Sequence, residues 1–205
     1  MDMTAAQQYL NSKGASLTAD GILGPKTMVA LMASARGNPG YSDNWLLSIA
    51  TPLVANLALG GISTFLRLRH FLAQSACETF AFRRLTESDG GDPHYFDRYE
   101  NSKALGNDQP GDGARFCGRG LLDTTGRWNY NLLAKISGLD CINSPELLAQ
   151  PEQACIAGMS YWLFRKCNAA ADSNDIQTLT RLINGGLNGL ADRQTYFVRL
   201  AALGA

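Results

Sequence analysis

Histidine is nearly absent from this chain: there are two in 205 residues, and no pair of the five cysteines stands at C-x-x-C spacing. A zinc centre built from imidazole and thiolate is therefore not expected, and no metal or other cofactor is implied. An excess of charge of one sign is also missing. Lys plus Arg and Asp plus Glu number 18 each, and neither end carries a basic block. Without a positive field there is no electrostatic reason to expect nucleic acid or an anionic lipid surface as the partner. The opening residues, Met1 to Leu10, lack a basic stretch followed by an apolar run, so a secretory leader is not expected. The longest stretch without charge runs from Trp45 to Leu66, but Pro52, Asn56 and the Gly60-Gly61 pair interrupt it. Two short buried helices are expected there rather than a membrane span. The glycines precede no Gly-Lys-Ser/Thr, which excludes a phosphate-cradling loop of that type. An odd number of cysteines (Cys77, Cys117, Cys141, Cys155, Cys167) leaves at least one unpaired, and reduced, mostly buried thiols in a reducing cytoplasm are expected.

What remains is an ordinary globular composition, 45% hydrophobic and 18% charged, long enough for one well-buried domain and a small appendage. Residues 1–36 read as a helical hairpin. A first helix carries Ala5, Ala6, Tyr9 and Leu10 and stops at Asn11-Ser12-Lys13-Gly14. A second begins at Pro25 and carries Met28, Val29, Leu31 and Met32. Between them, Asp20-Gly21-Ile22-x-Gly24-Pro25-x-Thr27 resembles the signature of peptidoglycan-binding modules, which makes Asp20, Gly21, Gly24 and Thr27 candidates for wall binding. The alternative is a hairpin that only packs on its neighbour, since so small a unit has little core of its own. Residues 37–41, Gly-Asn-Pro-Gly-Tyr, read as a linker, and residues 42–205 as a single helix-rich domain. In that domain the sequence predicts helices from an N-cap at Ser63 to about Ala81, from Pro145, from Pro151, from Ile176 to Leu182 and from Arg193 to Leu203, with stops at Gly185 and Gly204. Residues 86–118, rich in Gly, Asp, Asn and Pro, form a long irregular segment of the kind that carries function. The fold class is mainly α.

Two carboxylates flank the start of that segment. Glu78 closes an apolar helical face, and Glu87 follows nine residues later. Nine residues are about two and a half helical turns, so the two side chains share a cleft only if the helix ends between them. Phe80 to Arg84 closes the apolar pattern, and Ser88-Asp89-Gly90-Gly91 cannot sustain a helix. Two carboxyl groups across a cleft suit glycosidic cleavage, one protonated to release the leaving oxygen and one ionised to activate water. Glu78 near Phe71, Phe80 and Phe82 would be the acid, and Glu87 on a wet loop the base. By pattern alone, the same pair could be solvated surface charge.

The stretch His70-Phe71-Leu72-Ala73-Gln74-Ser75-Ala76-Cys77-Glu78-Thr79 resembles the family 19 glycoside hydrolases. The likeness continues through Leu85-Thr86-Glu87, Tyr99-Glu100, Leu105-Gly106-Asn107 and Pro110-Gly111-Asp112-Gly113. Further blocks are Gly118-Arg119-Gly120-Leu121-Leu122, Thr125 to Tyr130, Ile183 to Gly186, Asn188-Gly189 and Asp192-Arg193, so the matched blocks run across about residues 44–203. The resemblance implies a lysozyme-like helical domain with a long active-site loop and an inverting mechanism, with Glu78 the general acid and Glu87 the general base. It places Thr125 at the attacking water. It places Asn129, Asn184 and Arg193 along the sugar cleft or against the carboxylates, and puts Gln74, Tyr99 and Arg119 at the glycan. For Arg119 a buried ion-pair role stays open. Two residues depart from the pattern: Cys77 stands where the family has histidine, and Asp123 where it has glutamine. Asp123 is expected to raise the pKa of a neighbouring glutamate.

Together with the hairpin, the resemblance implies an endolysin of the phage or prophage type. It would be a monomer acting on peptidoglycan glycan strands, made in the host cytoplasm and released to the wall by a holin or other delivery system. Chitin is the alternative substrate. A Cys77-dependent amidase with His70 or His94 as base, and a non-catalytic wall-binding protein, are the alternatives of other classes.

Overall fold

The structure, a computed structural model, describes residues 1–201. Ten α-helices make it up: α1 (Thr4–Ser12), α2 (Pro25–Ala35), α3 (Asn44–Asn56), α4 (Phe65–Glu78), α5 (Asp112–Arg115), α6 (Arg127–Ser137), α7 (Pro151–Phe164), α8 (Cys167–Asp172), α9 (Ile176–Asn184) and α10 (Leu190–Ala201). Short 3₁₀ turns lie at Tyr95–Tyr99, Lys103–Leu105 and Pro145–Ala149. Among the described residues the only extended pairing is two isolated bridges, Thr86 with Arg119 and Arg119 with Thr124. The expected helical residue Leu203 and the stop at Gly204 lie outside the described residues.

Most starts and stops follow local chemistry. Pro25 and Pro151 open α2 and α7, where a missing N–H costs nothing. The Asp43 carboxylate caps α3 by accepting from the Leu46 amide at 2.6 Å. Gly138 and Gly185 end α6 and α9 in the left-handed conformation. Three expectations need correcting. The cap of α4 is Thr64, whose hydroxyl accepts from the Arg67 amide, not Ser63, and the helix stops at Glu78 rather than near Ala81. Residues 44–56 form one helix carrying Pro52 within it, not two short ones. Its apolar face (Leu46, Ile49, Ala50, Leu53) is fully buried, and that burial, roughly 1.5–3 kcal/mol for each large side chain, outweighs the penalty of about 3 kcal/mol for an internal proline. Helix α6, not anticipated, runs between Gly126 and Gly138 and buries Tyr130 and Leu133.

One apolar core runs from the N-terminal hairpin to the last helix. Met3, Leu10, Leu31 and Met32 belong to the same buried cluster as Phe71, Trp162 and Leu200. The hairpin at residues 1–36 therefore has no core separate from that of residues 42–201. The central pair is α4 against α10, with α2, α8 and α9 packed round it. A smaller cluster of Phe116, Tyr130, Leu133, Cys141 and Leu148 sits under α6.

Candidate active site

The end of α4 delivers Glu78. Thr79 terminates the helix: its hydroxyl donates to the Ser75 carbonyl at 2.6 Å and accepts from the Phe82 amide at 2.9 Å. The next three residues, Phe80, Ala81 and Phe82, all take positive φ (53°, 56° and 58°). A left-handed run of non-glycine residues costs roughly 1–2 kcal/mol per residue, so its carbonyls need fixed partners. They have them. Arg36 donates from Nε to the Ala81 oxygen and from Nη2 to the Phe82 oxygen, each at 2.8 Å, and the Trp45 indole N–H donates to the Phe82 oxygen at 2.8 Å. This turn reverses the chain between the two glutamates.

Glu78 is 13% exposed and paired through Oε1 with Arg193 Nη2 at 2.5 Å. Arg193, on α10 and 1% exposed, donates from Nη1 to Gln74 Oε1 at 2.6 Å, one turn before Glu78 on α4. Gln74 is fully buried and does not touch the cleft, so it holds Arg193 rather than a sugar. Arg193 likewise orients Glu78 from behind. Phe71 and Phe82 are buried in the core and Phe80 is exposed, and none of the three lines the cleft with Glu78; its apolar neighbours there are Leu105, Leu122 and Ile183.

Glu87 lies on a braced segment, not a wet loop. Its backbone N–H donates to the Gly118 oxygen at 2.8 Å, beside the Thr86–Arg119 bridge. Its side chain is 11% exposed. Oε1 accepts from Arg98 at 2.6 Å, Tyr99 at 2.9 Å and Tyr95 at 3.1 Å, while Oε2 accepts only from the Gly118 amide at 3.2 Å. The Arg98 guanidinium stacks on the Tyr95 and Tyr99 rings, 3.7 and 4.7 Å from their centroids. The sequence reading missed Tyr95, Arg98 and Gly118 as partners of Glu87. The only signal was the aromatic pairing of the Tyr95–Tyr99 stretch.

A cleft of about 340 Å³ is lined by Glu78, Tyr99, Asp123, Thr125, Asn129 and Asn184, among others. The structure thus brings together five of the expected site residues, Glu78, Tyr99, Thr125, Asn129 and Asn184, with Asp123. The Thr125 hydroxyl donates to the Asp123 carbonyl at 3.0 Å, and the Asn129 amide donates to the Thr125 carbonyl at 2.7 Å. Asp123 sits close enough to feel both glutamates. Burial first, then the charges of Glu78 and Glu87, push its carboxyl up to about 7, against the smaller opposing effect of Arg84. Arg119 does not line the cleft. It donates to the Arg115 carbonyl at 2.8 Å and to the Tyr130 hydroxyl at 3.0 Å.

The hairpin motif lies elsewhere and is turned on itself. Gln7 donates to Asp20 Oδ1, to the Ile22 carbonyl and to Thr27 Oγ1, and accepts from the Gly21 amide. Asp20 also caps the Ile22 amide, and Gly24 flanks the start of α2. Cys77 has no imidazole beside it: His70 is bonded to Asn174 and His94 to Asp97, and burial pushes the Cys77 thiol up to about 11. That geometry offers no cysteine nucleophile. Among the described residues all five thiols are free, and no group of three or more His, Cys, Asp or Glu is arranged to hold a metal ion. No helix among them is long and apolar enough to cross a membrane.

This fold is that of the family 19 chitinases. Chitinase C from Streptomyces griseus superposes with a TM-score of 0.63 at 21% identity, over 90% of this chain and 96% of that one. A bacterial family 19 chitinase gives 0.56 at 18% identity, over 99% and 94%. A class IV chitinase from Zea mays gives 0.50 at 16%, over 98% and 92%. In sequence, a 95-residue stretch is 36% identical to a glycosyl hydrolase family 19 domain-containing protein of Haemophilus influenzae. The stretch is 46% of this chain and 46% of that protein, so the match spans about half the length of the curated relative. No family model matches the chain.

Proposed function

We propose that the protein is a glycoside hydrolase that cleaves β-1,4 bonds between N-acetylated amino sugars with inversion, and that its substrate is the glycan strand of bacterial peptidoglycan. The observation that carries this reading is a cleft lined by Glu78, Tyr99, Asp123 and Thr125, with Glu87 outside that lining but bonded to it through the Tyr99 hydroxyl. Glu78 is fixed through one oxygen by Arg193, while Oε2 has no protein partner among the described residues and is the oxygen to protonate the leaving group. Glu87 holds three donors on Oε1, which leaves lone-pair capacity on Oε2 to take a proton from water. Thr125 donates its own proton to the Asp123 carbonyl, so its oxygen is free to accept a hydrogen bond from that water. The wall substrate is supported by the likeness of Asp20 to Thr27 to wall-binding modules. With it goes an endolysin role, in which the enzyme is made in the cytoplasm and passed to the wall by a holin or another device. Chitin is the second reading, favoured by the names of the solved neighbours.

Mass analysis of the reducing ends released from purified peptidoglycan and from chitin oligomers, side by side, tests both. Glu78→Gln and Glu87→Gln are expected to lower kcat by about 10²–10⁴-fold on the true substrate, with the fold intact by circular dichroism. Full activity in either variant would remove that residue from the chemistry.

A further inference from the structure

Asp123 occupies an unusual position. It lines the cleft, yet its carboxyl group has no hydrogen-bond or ion-pair partner among the described residues. The backbone holds it there: φ is +51°, and the loop from Gly120 is closed by the Arg119 and Thr124 backbones, which donate to each other at 3.1 and 2.8 Å. Gly118 makes room for it. A Cβ at Gly118 would collide with the Asp123 carboxylate, and that same residue donates its amide to Glu87.

Titratable and charged groups face Asp123 from every neighbouring element. Glu78 comes from α4, with Arg193 of α10 on its far side. Arg84 and Glu87 come from the segment after α4. Cys117 and the Tyr130 hydroxyl, the latter engaged by Arg119, lie behind it, and Tyr99 and Tyr161 line the same cleft. Glu78 and Glu87 already have donors, whereas Asp123 has none. A third carboxylate there would be unpaired and opposed by both glutamates, so the neutral acid is favoured below about pH 7. Only the neutral acid carries an O–H donor. A donor in the wall of a substrate cleft without a protein acceptor is satisfied by what binds there.

We propose that Asp123 is a substrate-binding residue whose carboxylic acid donates a hydrogen bond to a hydroxyl or acetamido oxygen of the bound glycan. This rests on the glycan-cleaving reading above. It carries a thermodynamic sign: a glycan that accepts this bond prefers protonated Asp123 and raises its titration midpoint, whereas a glycan that donates to the carboxylate lowers it.

The test uses the full chain labelled at the aspartate carboxyl carbons, with Asp123 assigned by its loss in Asp123→Asn. Its resonance is titrated with and without the trisaccharide of N-acetylglucosamine. The midpoint is expected to rise by about one pH unit on binding, which equals about tenfold tighter binding to the protonated form. By calorimetry, trisaccharide affinity should fall about tenfold as Asp123 ionises. It should stay flat with pH in Asp123→Asn, whose amide is a permanent neutral donor, and be weak throughout in Asp123→Leu. An unmoved or lowered midpoint, an Asp123→Asn variant with the unaltered protein's pH slope, or no trisaccharide binding at all would overturn the proposal. If Asp123→Leu does not fold, the resonance and the asparagine variant still decide. Failure of the parent reading is distinguishable, because it shows as hydrolysis surviving Glu78→Gln, whatever Asp123 does.

Discussion

At the scale of single residues, the site depends on side chains that never meet solvent. Arg193 joins Gln74 and Glu78 through its two terminal nitrogens. Removing one member of a buried charge pair leaves the other unpaired, at a cost of about 3–5 kcal/mol. Arg193→Leu is therefore expected to lose about that much stability in urea unfolding. It should also lose hydrolysis, since nothing else orients Glu78. An unchanged unfolding midpoint would show that the pair contributes nothing. Motif order pointed to Glu78, Glu87 and Arg193 as candidates. It did not separate Gln74 and Arg119, which hold other side chains, from Asn129 and Asn184, which line the cleft, because an exposed and a buried polar residue look alike in sequence.

Elements act on the site chiefly through the turn at Phe80 to Phe82. Its carbonyls are satisfied by Arg36, just after α2, and by Trp45 in α3. These contacts span 45, 46 and 37 positions, so no local pattern announces them. They also change the meaning of the hairpin, which supports the active-site turn whether or not it binds wall. Hydrogen bonds to a charged group contribute about 1.5–3 kcal/mol. Arg36→Ala should cost about that in thermal unfolding and reduce kcat on a soluble oligosaccharide that needs no wall anchoring. Wild-type kcat in a destabilised Arg36→Ala would show that the turn tolerates its loss.

Across the whole molecule, two groups, buried His70 and part-buried Asp123, set opposite pH dependences. His70, stacked on Phe197 and fully buried, is pushed down to about 4, mainly by burial. The unfolded chain takes up its proton first as pH falls from about 6.5, so His70 makes stability decline from there down to about 4. Asp123, pushed up to about 7, does the reverse. The folded state holds its proton while the unfolded chain has released it, so stability declines as pH rises from about 4 to about 7. The two slopes nearly cancel in that window, and the unaltered protein should show little change in melting temperature across it. Asp123→Asn should expose a rise with pH, and be more stable than the unaltered protein at pH 8 by on the order of 2 kcal/mol. His70→Gln should expose a fall. Parallel curves for both variants would refute the assignment.

The sequence by itself determined the helical class, most helix ends and the order of the blocks along the chain. These follow from local rules: proline and glycine positions, apolar periodicity and residue types a few places apart. Only the tertiary structure decided that the hairpin shares the main core, that Pro52 stays inside one helix, that Glu87 is gripped by Tyr95, Tyr99 and Arg98, and that the Asp123 carboxyl is shifted upward. Each of these depends on burial and on charges brought together from distant positions, and both arise only when the chain packs.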